Sequence, residues 1–154
     1  MDIITIQGPS ACGKSTLTRL LREELDYAYV DRPMIKRGLK PIGRQEALRL
    51  SKDATYHVIR QLIERGDDII AQEVNPESLK KHVDLKGYRL VPFYIKCPVE
   101  TALERDRERP GKTHRPELIR RIHEEYPKPA DYEIIIDTEK MTIQESLDYM
   151  MGHI

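Results

Sequence analysis

The chain has no tryptophan, a single phenylalanine and only two cysteines among its 154 residues. Two cysteines without nearby histidine or cysteine partners argue against a disulfide scaffold and a structural zinc site, and favour a reduced intracellular protein. No apolar run approaches the roughly 20 residues that a membrane-spanning helix needs, and the first ten residues lack the features of a secretory signal. We therefore expect a cytoplasmic protein that makes no membrane contact.

Neither sign of charge is in excess, since 26 Lys and Arg residues balance 26 Asp and Glu residues. Charged residues make up 34% of the chain and hydrophobic residues 39%. This composition is polar, but the apolar residues are clustered and periodic, which indicates a folded protein rather than a disordered one. The length fits one domain over residues 1–154.

Short apolar runs alternate along the chain with stretches of helical periodicity. The predicted strands lie at 3–7, 27–30, 68–74, 89–96 and 133–137. The first predicted helix follows the loop after the first strand and extends to about residue 25. The other predicted helices cover 45–65, 76–86 (with Gly87 after its end), 98–107, 116–125 and 142–151. Residues 31–43, with their prolines and glycines, form a predicted loop or broken helix. Such alternation predicts an α/β fold in which helices cover both faces of a parallel sheet of about five strands.

A phosphate-binding pattern follows the first predicted strand directly. Gly8 is followed after four residues by Gly13, Lys14 and Ser15, the spacing of a P-loop. Glycines let the backbone curl so that its N–H groups face phosphate oxygens, the lysine reaches the β- and γ-phosphates, and the serine hydroxyl binds Mg²⁺. We therefore expect ATP and Mg²⁺ as cofactors and a P-loop NTPase three-layer sandwich. The predicted nucleotide-binding residues are Gly8, Ser10, Ala11, Cys12, Gly13, Lys14, Ser15 and Thr16.

The rest of the sequence suits a small kinase better than other P-loop classes. The base-reading Asn/Thr-Lys-x-Asp of GTPases is absent, and the third predicted strand ends in Gln72-Glu73 rather than the Asp or Asp-Glu of motor and transporter ATPases. A late arginine-rich segment, residues 105–115, has the composition of a lid that closes over phosphates and excludes water. Arg105 and Arg109 lie four residues apart within it and are its predicted catalytic residues.

Parts of the chain resemble two kinase families. Residues 3–16, 94–111 and 115–126, together with Asn75-Pro76-Glu77, resemble the phage-type polynucleotide 5′-hydroxyl kinases. That resemblance implies that Arg105 and Arg109 contact the ATP phosphates, with Arg109 nearest the transition state. Val30-Asp31 with residues 35–39, and residues 126–129 with 136–138, are similar to adenylylsulfate kinases.

The general base departs from the pattern that these resemblances imply. Both families place an aspartate three residues before a basic residue after the second strand, and here that position is Pro33, with Lys36 as the basic partner. We predict that Asp31 acts as the base and is a catalytic residue. Glu73 is the alternative, and otherwise the base is dispensable, absent or unrecognised. A loose phosphoryl-transfer transition state asks little of a base. The acceptor-binding residues that we expect are Lys36, Arg37, Glu73 and Asn75.

The distribution of charge along the chain indicates the chemical class of the acceptor. Residues 32–49 hold six basic residues and one acidic residue, and they lie on the acceptor side of the predicted sheet. This favours a polyanionic acceptor, so the first hypothesis is an ATP-dependent kinase of a nucleic-acid hydroxyl. The second is a kinase of a nucleotide-like or metabolite hydroxyl on a phosphorylated small molecule. A third is an NTP-binding regulatory module without transfer activity.

Overall fold

The computed structural model describes residues 1–111 and 114–154. Its strands are β1 (Asp2–Gln7), β2 (Ala28–Asp31), β3 (Ile69–Gln72), β4 (Arg89–Lys96) and β5 (Ile134–Asp137). Its α-helices are α1 (Lys14–Glu24), α2 (Arg32–Gly38), α3 (Arg44–Arg65), α4 (Pro76–His82), α5 (Val99–Glu108), α6 (Pro116–Glu125) and α7 (Ile143–Met151). Strand and helix alternate as the sequence predicts, and no helix within the described ranges is long and apolar enough to cross a bilayer.

All five strands are parallel and lie in the order β2-β3-β1-β4-β5. This confirms the predicted P-loop α/β fold. The strand β1 lies at the centre, between β3 and β4, so the loop that follows it opens at the middle of the carboxyl edge of the sheet. Ligands of open α/β sheets bind at that edge, where the chain leaves neighbouring strands in opposite directions.

Two apolar cores enclose the sheet because alternate residues of each strand face opposite sides. Ile4 and Ile6 of β1 pack with Leu17 and Leu21 of α1, whereas Ile3 packs on the other face with Ile59 of α3. Burial on both faces explains why the strands read as continuous apolar runs. The sheet thereby holds the loop after β1 on a rigid base.

The structure corrects the end of one predicted helix. The sequence predicts a helix over 76–86 with Gly87 after it, but α4 ends at His82. Val83 leaves the helix in an extended conformation and is buried in the core, so the chain turns away four residues early. Gly87 instead lies, with Lys86, in the left-handed turn that leads into β4. The predicted broken helix at 31–43 is confirmed as α2 and a 3-10 turn at Lys40–Ile42.

Candidate active site

The loop between β1 and α1 curls because three of its residues have positive φ angles. They are Gly8 at 145°, Ala11 at 59° and Gly13 at 95°. Successive turns of this kind direct backbone N–H groups into a concave anion site. The helix α1 begins at Lys14, and no side chain caps its first N–H groups. The loop therefore has the geometry of a phosphate cradle at a helix N-terminus.

Gly8 is the position in the cradle that excludes a side chain. A Cβ placed there would lie 1.9 Å from the carbonyl oxygen of Ile95 in β4. Gly43, with a φ of 96°, has nothing within 4 Å of the same position. We expect Gly8→Ala to lower the free energy of unfolding by about 3 kcal/mol or more, because clash adds to backbone strain, and Gly43→Ala by about 1–2 kcal/mol. Urea denaturation measures both, and equal effects would contradict this account.

Lys14 folds back over the mouth of the cradle. Its Nζ donates to the carbonyl oxygens of Gly8 and Pro9, each at 2.6 Å. The same ammonium forms an ion pair with Oε1 of Glu73 at 3.0 Å. Only 10% of the lysine side chain is exposed. The ammonium thus lies at the entrance where phosphates would enter, held by three oxygens that incoming phosphate oxygens can replace.

Glu73 is held in place through both its backbone and its carboxylate. It follows β3 with a positive φ of 58°, and its backbone N–H donates to Ile6 at 2.7 Å. Its Oε2 accepts a hydrogen bond of 3.2 Å from the Tyr126 hydroxyl, which itself accepts the Gly8 N–H at 3.0 Å. Burial, together with the Glu73 charge, raises the pKa of Tyr126, so this hydroxyl stays a donor at neutral pH. Tyr126 thereby joins the cradle to the carboxylate, a role that the sequence analysis missed.

A cavity of about 320 Å³ opens beside this cluster and is called the first cavity here. Its lining residues come from the cradle, from α2 and α3, and from the end of α6. They are Gly8, Ser10, Lys14, Arg32, Pro33, Lys36, Leu48, Glu73, Ile122 and Tyr126. Pro33 thus lines the cavity at the place where the resemblance implies an aspartate.

Asp31 does not line the first cavity, and its carboxylate has a structural role instead. Its Oδ1 accepts the Met34 N–H at 2.9 Å and caps the N-terminus of α2. Its Oδ2 lies 3.1 Å from the Tyr29 hydroxyl, which is 2.8 Å from Oε1 of Gln72. Burial and the Asp31 charge raise the pKa of Tyr29, so its hydroxyl also stays protonated. Both oxygens of Asp31 are therefore used in holding β2, β3 and α2 together.

The structure separates the predicted acceptor residues. Lys36 lines the first cavity with Glu73, whereas Arg37 is exposed and lies outside that lining. The Asn75 side chain caps α4 by accepting the Ser78 N–H at 2.9 Å. Asn75 also lines a smaller cavity of about 190 Å³ beside Arg32. Arg32 lines this smaller cavity as well as the first one. In the sequence, its position in a basic run is the one signal that could have marked it as a site residue.

A second cavity, of about 370 Å³, lies on the other side of the cradle. Its lining combines apolar and hydroxyl side chains with two arginines. It is formed by Ala11, Gly13, Thr16, Leu17, Arg105, Arg109, Thr138, Met141, Thr142, Ile143 and Ser146. An apolar slot next to a phosphate cradle suits the base and ribose of a nucleotide. Thr16 lies here rather than inside the cradle.

The two predicted lid arginines have different surroundings. Arg105 donates from Nη1 and Nη2 to the hydroxyl and carbonyl oxygens of Thr138, each at 2.8 Å. Arg109 follows the last residue of α5 and lines the second cavity. The predicted lid spans 105–115, and its residues 112 and 113 lie outside the described residues. The lid, and the contact of its arginines with phosphates, stay predictions.

Ser15 offers the one hydroxyl that the P-loop pattern assigns to Mg²⁺. It stands at the start of α1, and the Gln72 amide nitrogen lies 3.5 Å from its oxygen. Across residues 1–111 and 114–154, no group of three or more His, Cys, Asp or Glu side chains forms a metal site. A single protein oxygen fits an ion that keeps several waters and binds mainly to substrate phosphates, as Mg²⁺ does.

Comparison with known proteins agrees with this geometry. Residues 4–131 match the family model described as "AAA domain". The chain is 28% identical over 149 residues to the "Probable adenylyl-sulfate kinase" of Archaeoglobus fulgidus, covering 90% of this chain and 96% of that protein. The relative's length is therefore close to that of this chain.

Two solved structures share the fold. The crystal structure of a sugar kinase from a Janibacter species superposes with a TM-score of 0.76 at 13% identity, covering 99% of this chain and 94% of that one. The Pnkp1/Rnl/Hen1 RNA repair complex gives a TM-score of 0.62 at 18% identity, covering 99% of this chain and 46% of that one. At these identities the likeness concerns the fold alone.

Proposed function

This chain belongs to the AAA domain family and is a P-loop kinase, and from that premise we propose that it transfers the γ-phosphoryl group of Mg-ATP to a hydroxyl of a small anionic molecule. The observation that carries the proposal is the first cavity, which brings a carboxylate and three cations together beside the cradle. The relative named as a probable adenylyl-sulfate kinase favours transfer over a purely regulatory module.

The charge of the first cavity favours an anionic acceptor. Lys14, Arg32 and Lys36 line it against the single carboxylate of Glu73. Glu73 is paired with Lys14, whereas Arg32 and Lys36 make no ion pair with the part of the chain that the structure describes. Two uncompensated cations in a confined space attract a phosphate, sulfate or carboxylate group.

The size of the cavity favours a small acceptor. A volume of about 320 Å³ is near the lower end for pockets that bind small molecules. Leu48, Ile122 and Tyr126 close its sides with apolar surface. Such walls fit the body of a metabolite, and a polymer could insert only its terminal unit.

The residues divide the work of transfer between the two cavities. Lys14 exchanges its bonds to Gly8, Pro9 and Glu73 for phosphate oxygens and draws the γ-phosphoryl group to the mouth of the cradle. Ser15 holds Mg²⁺, which when bound offsets charge on the phosphate oxygens. The freed Oε1 of Glu73 then accepts the proton of the acceptor hydroxyl, while Tyr126 keeps Oε2 in place. Arg109 contacts the phosphates from the second cavity.

A nucleic-acid hydroxyl is the second candidate acceptor. Arg37 of α2, Lys40 of the 3-10 turn and Arg44 at the start of α3 are exposed and extend the positive surface beyond the cavity. By contrast, Arg49 of the same basic run is paired with Glu46 at 2.7 Å and Asp53 at 3.4 Å. Since two carboxylates offset its charge, Arg49 adds no net positive charge to this surface.

The test is transfer of label from γ-³²P-ATP with Mg²⁺ to a panel of acceptors at low and moderate salt. The panel contains adenylylsulfate, phosphorylated sugars, gluconate, uncharged sugars, nucleosides and 5′-hydroxyl oligonucleotides. We expect label on an anionic small molecule. Label on oligonucleotides alone, lost steeply as salt rises, would support the second candidate instead. Label on uncharged sugars alone would contradict the role given to the cations.

A matched pair of lysine variants locates the acceptor. Lys36 lines the first cavity, and Lys40 lies four residues later outside that lining; both are exposed. Since a charged hydrogen bond contributes about 1.5–3 kcal/mol, we expect Lys36→Gln to raise the KM for the acceptor about tenfold or more. Lys40→Gln should change it less than about twofold. Equal effects on an oligonucleotide acceptor would favour a wide surface over the cavity.

A further inference from the structure

The two cysteines of the chain meet beneath the cradle. Cys12 lies in the loop between the left-handed residues Ala11 and Gly13, and Cys97 directly follows β4. Their Sγ atoms are 2.8 Å apart, although the residues are 85 positions apart in sequence. Both are free thiols, Cys12 fully buried and Cys97 8% exposed. None of the steps described above uses either sulfur.

We propose that Cys12 and Cys97 form a peroxide-sensitive modification site, in which a reversible disulfide weakens nucleotide binding by the cradle. A disulfide bond is about 2.05 Å long, so the sulfur atoms need to approach by less than about 1 Å. The proposal rests on the geometry of the two thiols and does not depend on the acceptor proposed above.

The surroundings give the two thiols different roles. The hydrogen bond between the two sulfurs lowers the pKa of Cys97, and the Arg105 guanidinium lowers it further against the effect of burial. The same hydrogen bond, together with burial, raises the pKa of Cys12. The thiolate is the reactive form of cysteine. Cys97, which is also the more exposed of the two, is therefore the sulfur that reacts first.

The chemistry balances with hydrogen peroxide as the oxidant. The Cys97 thiolate attacks one peroxide oxygen, an S–O bond forms, the O–O bond breaks, and the departing hydroxide takes a proton from solvent to become water. Cys97 is oxidised by two electrons to a sulfenic acid. Cys12 then attacks that sulfur, the S–S bond forms, the S–O bond breaks, and the hydroxyl leaves with the Cys12 proton as a second water.

The disulfide would act on the cradle through the backbone of Cys12. Its carbonyl oxygen accepts a hydrogen bond of 2.8 Å from the Thr138 hydroxyl, which also receives Arg105. Drawing Cys12 toward β4 would therefore move the N–H groups of the loop together with Thr138 and the Arg105 side chain that is bonded to it. Misplacement of catalytic groups by about 1 Å can lower a reaction rate by a factor of 10². Loop N–H groups that move by a similar distance also lose hydrogen bonds to phosphate oxygens. Reduction with a thiol breaks the bond and restores the loop.

The experiment treats the full chain with hydrogen peroxide and then measures its intact mass and its binding of a fluorescent N-methylanthraniloyl derivative of ATP with Mg²⁺. We expect the loss of two hydrogen atoms, a rise of about fivefold or more in the Kd, and recovery of both with dithiothreitol. Cys97→Ala should bind the probe like the untreated protein and keep that affinity in peroxide. This binding readout needs no acceptor, so it stands or fails apart from the proposed function.

Three results would overturn the proposal. One is a mass that gains oxygen without losing two hydrogens. Another is a disulfide that leaves the Kd unchanged. The third is a Cys97→Ala protein that loses affinity in peroxide as the unmodified sequence does. If Cys97→Ala does not fold, the proposal is tested on the unmodified sequence by its intact mass in peroxide and by the recovery of its mass and Kd with dithiothreitol.

Discussion

Lys14→Ala reduces phosphoryl transfer by at least about 10³-fold, the largest effect that we expect from any single substitution in this chain. The Lys14 ammonium is the cation that pairs with Glu73 at the mouth of the cradle, so it is the group that can neutralise charge on the γ-phosphoryl group as it moves. Its loss also leaves Glu73 without that partner. Both effects oppose the approach of a phosphate to the carboxylate.

Steady-state transfer from labelled ATP measures this loss, and Arg19→Ala is the control. Arg19 lies in the same helix, and its exposed side chain pairs with Glu23 on the surface. That variant should keep nearly full activity, because an exposed pair contributes little to stability. Transfer by Lys14→Ala within about tenfold of the control would contradict the assignment of the cradle as the catalytic centre.

Glu73→Gln lowers kcat by about 10²-fold, whereas Asp31→Asn leaves it within about twofold of the original. General bases contribute roughly 10²- to 10⁴-fold, and a loose transition state favours the lower figure. Glutamine keeps the size of the side chain but cannot accept the acceptor's proton. Asparagine at position 31 still caps α2, since Asn and Asp are equally good N-caps. Because the two substitutions are chemically matched, opposite results would assign the base to Asp31.

The sheet and the cradle could be predicted because local sequence determines them. The β-branched run of β1 and the glycine spacing after it each specify one backbone shape. The early end of α4 could not be predicted, since burial of Val83 is a tertiary effect that overrides the glycine signal at Gly87. Local pattern fixes the elements, while packing decides where some of them stop.

In the candidate site, too, local sequence predicts some features and tertiary structure determines the others. The sequence predicted Lys14, Ser15 and the glycines, and it named Asp31 and Glu73 as candidates for the base. It favoured Asp31, because no local pattern shows that Asp31 caps α2 or that Glu73 faces the first cavity. Tyr126 reaches Gly8 across 118 positions of sequence, and no local pattern encodes such a contact.

The placement of the two cavities determines the route of the phosphoryl group. One cavity is lined by Gly8, Ser10 and Lys14 and the other by Ala11 and Gly13, so a single loop of backbone separates them. Donor and acceptor can therefore be bound at the same time, with the travelling group between them. Under the proposed function we therefore expect a ternary complex and one direct displacement, in which the configuration at phosphorus inverts and no phosphorylated form of the protein occurs.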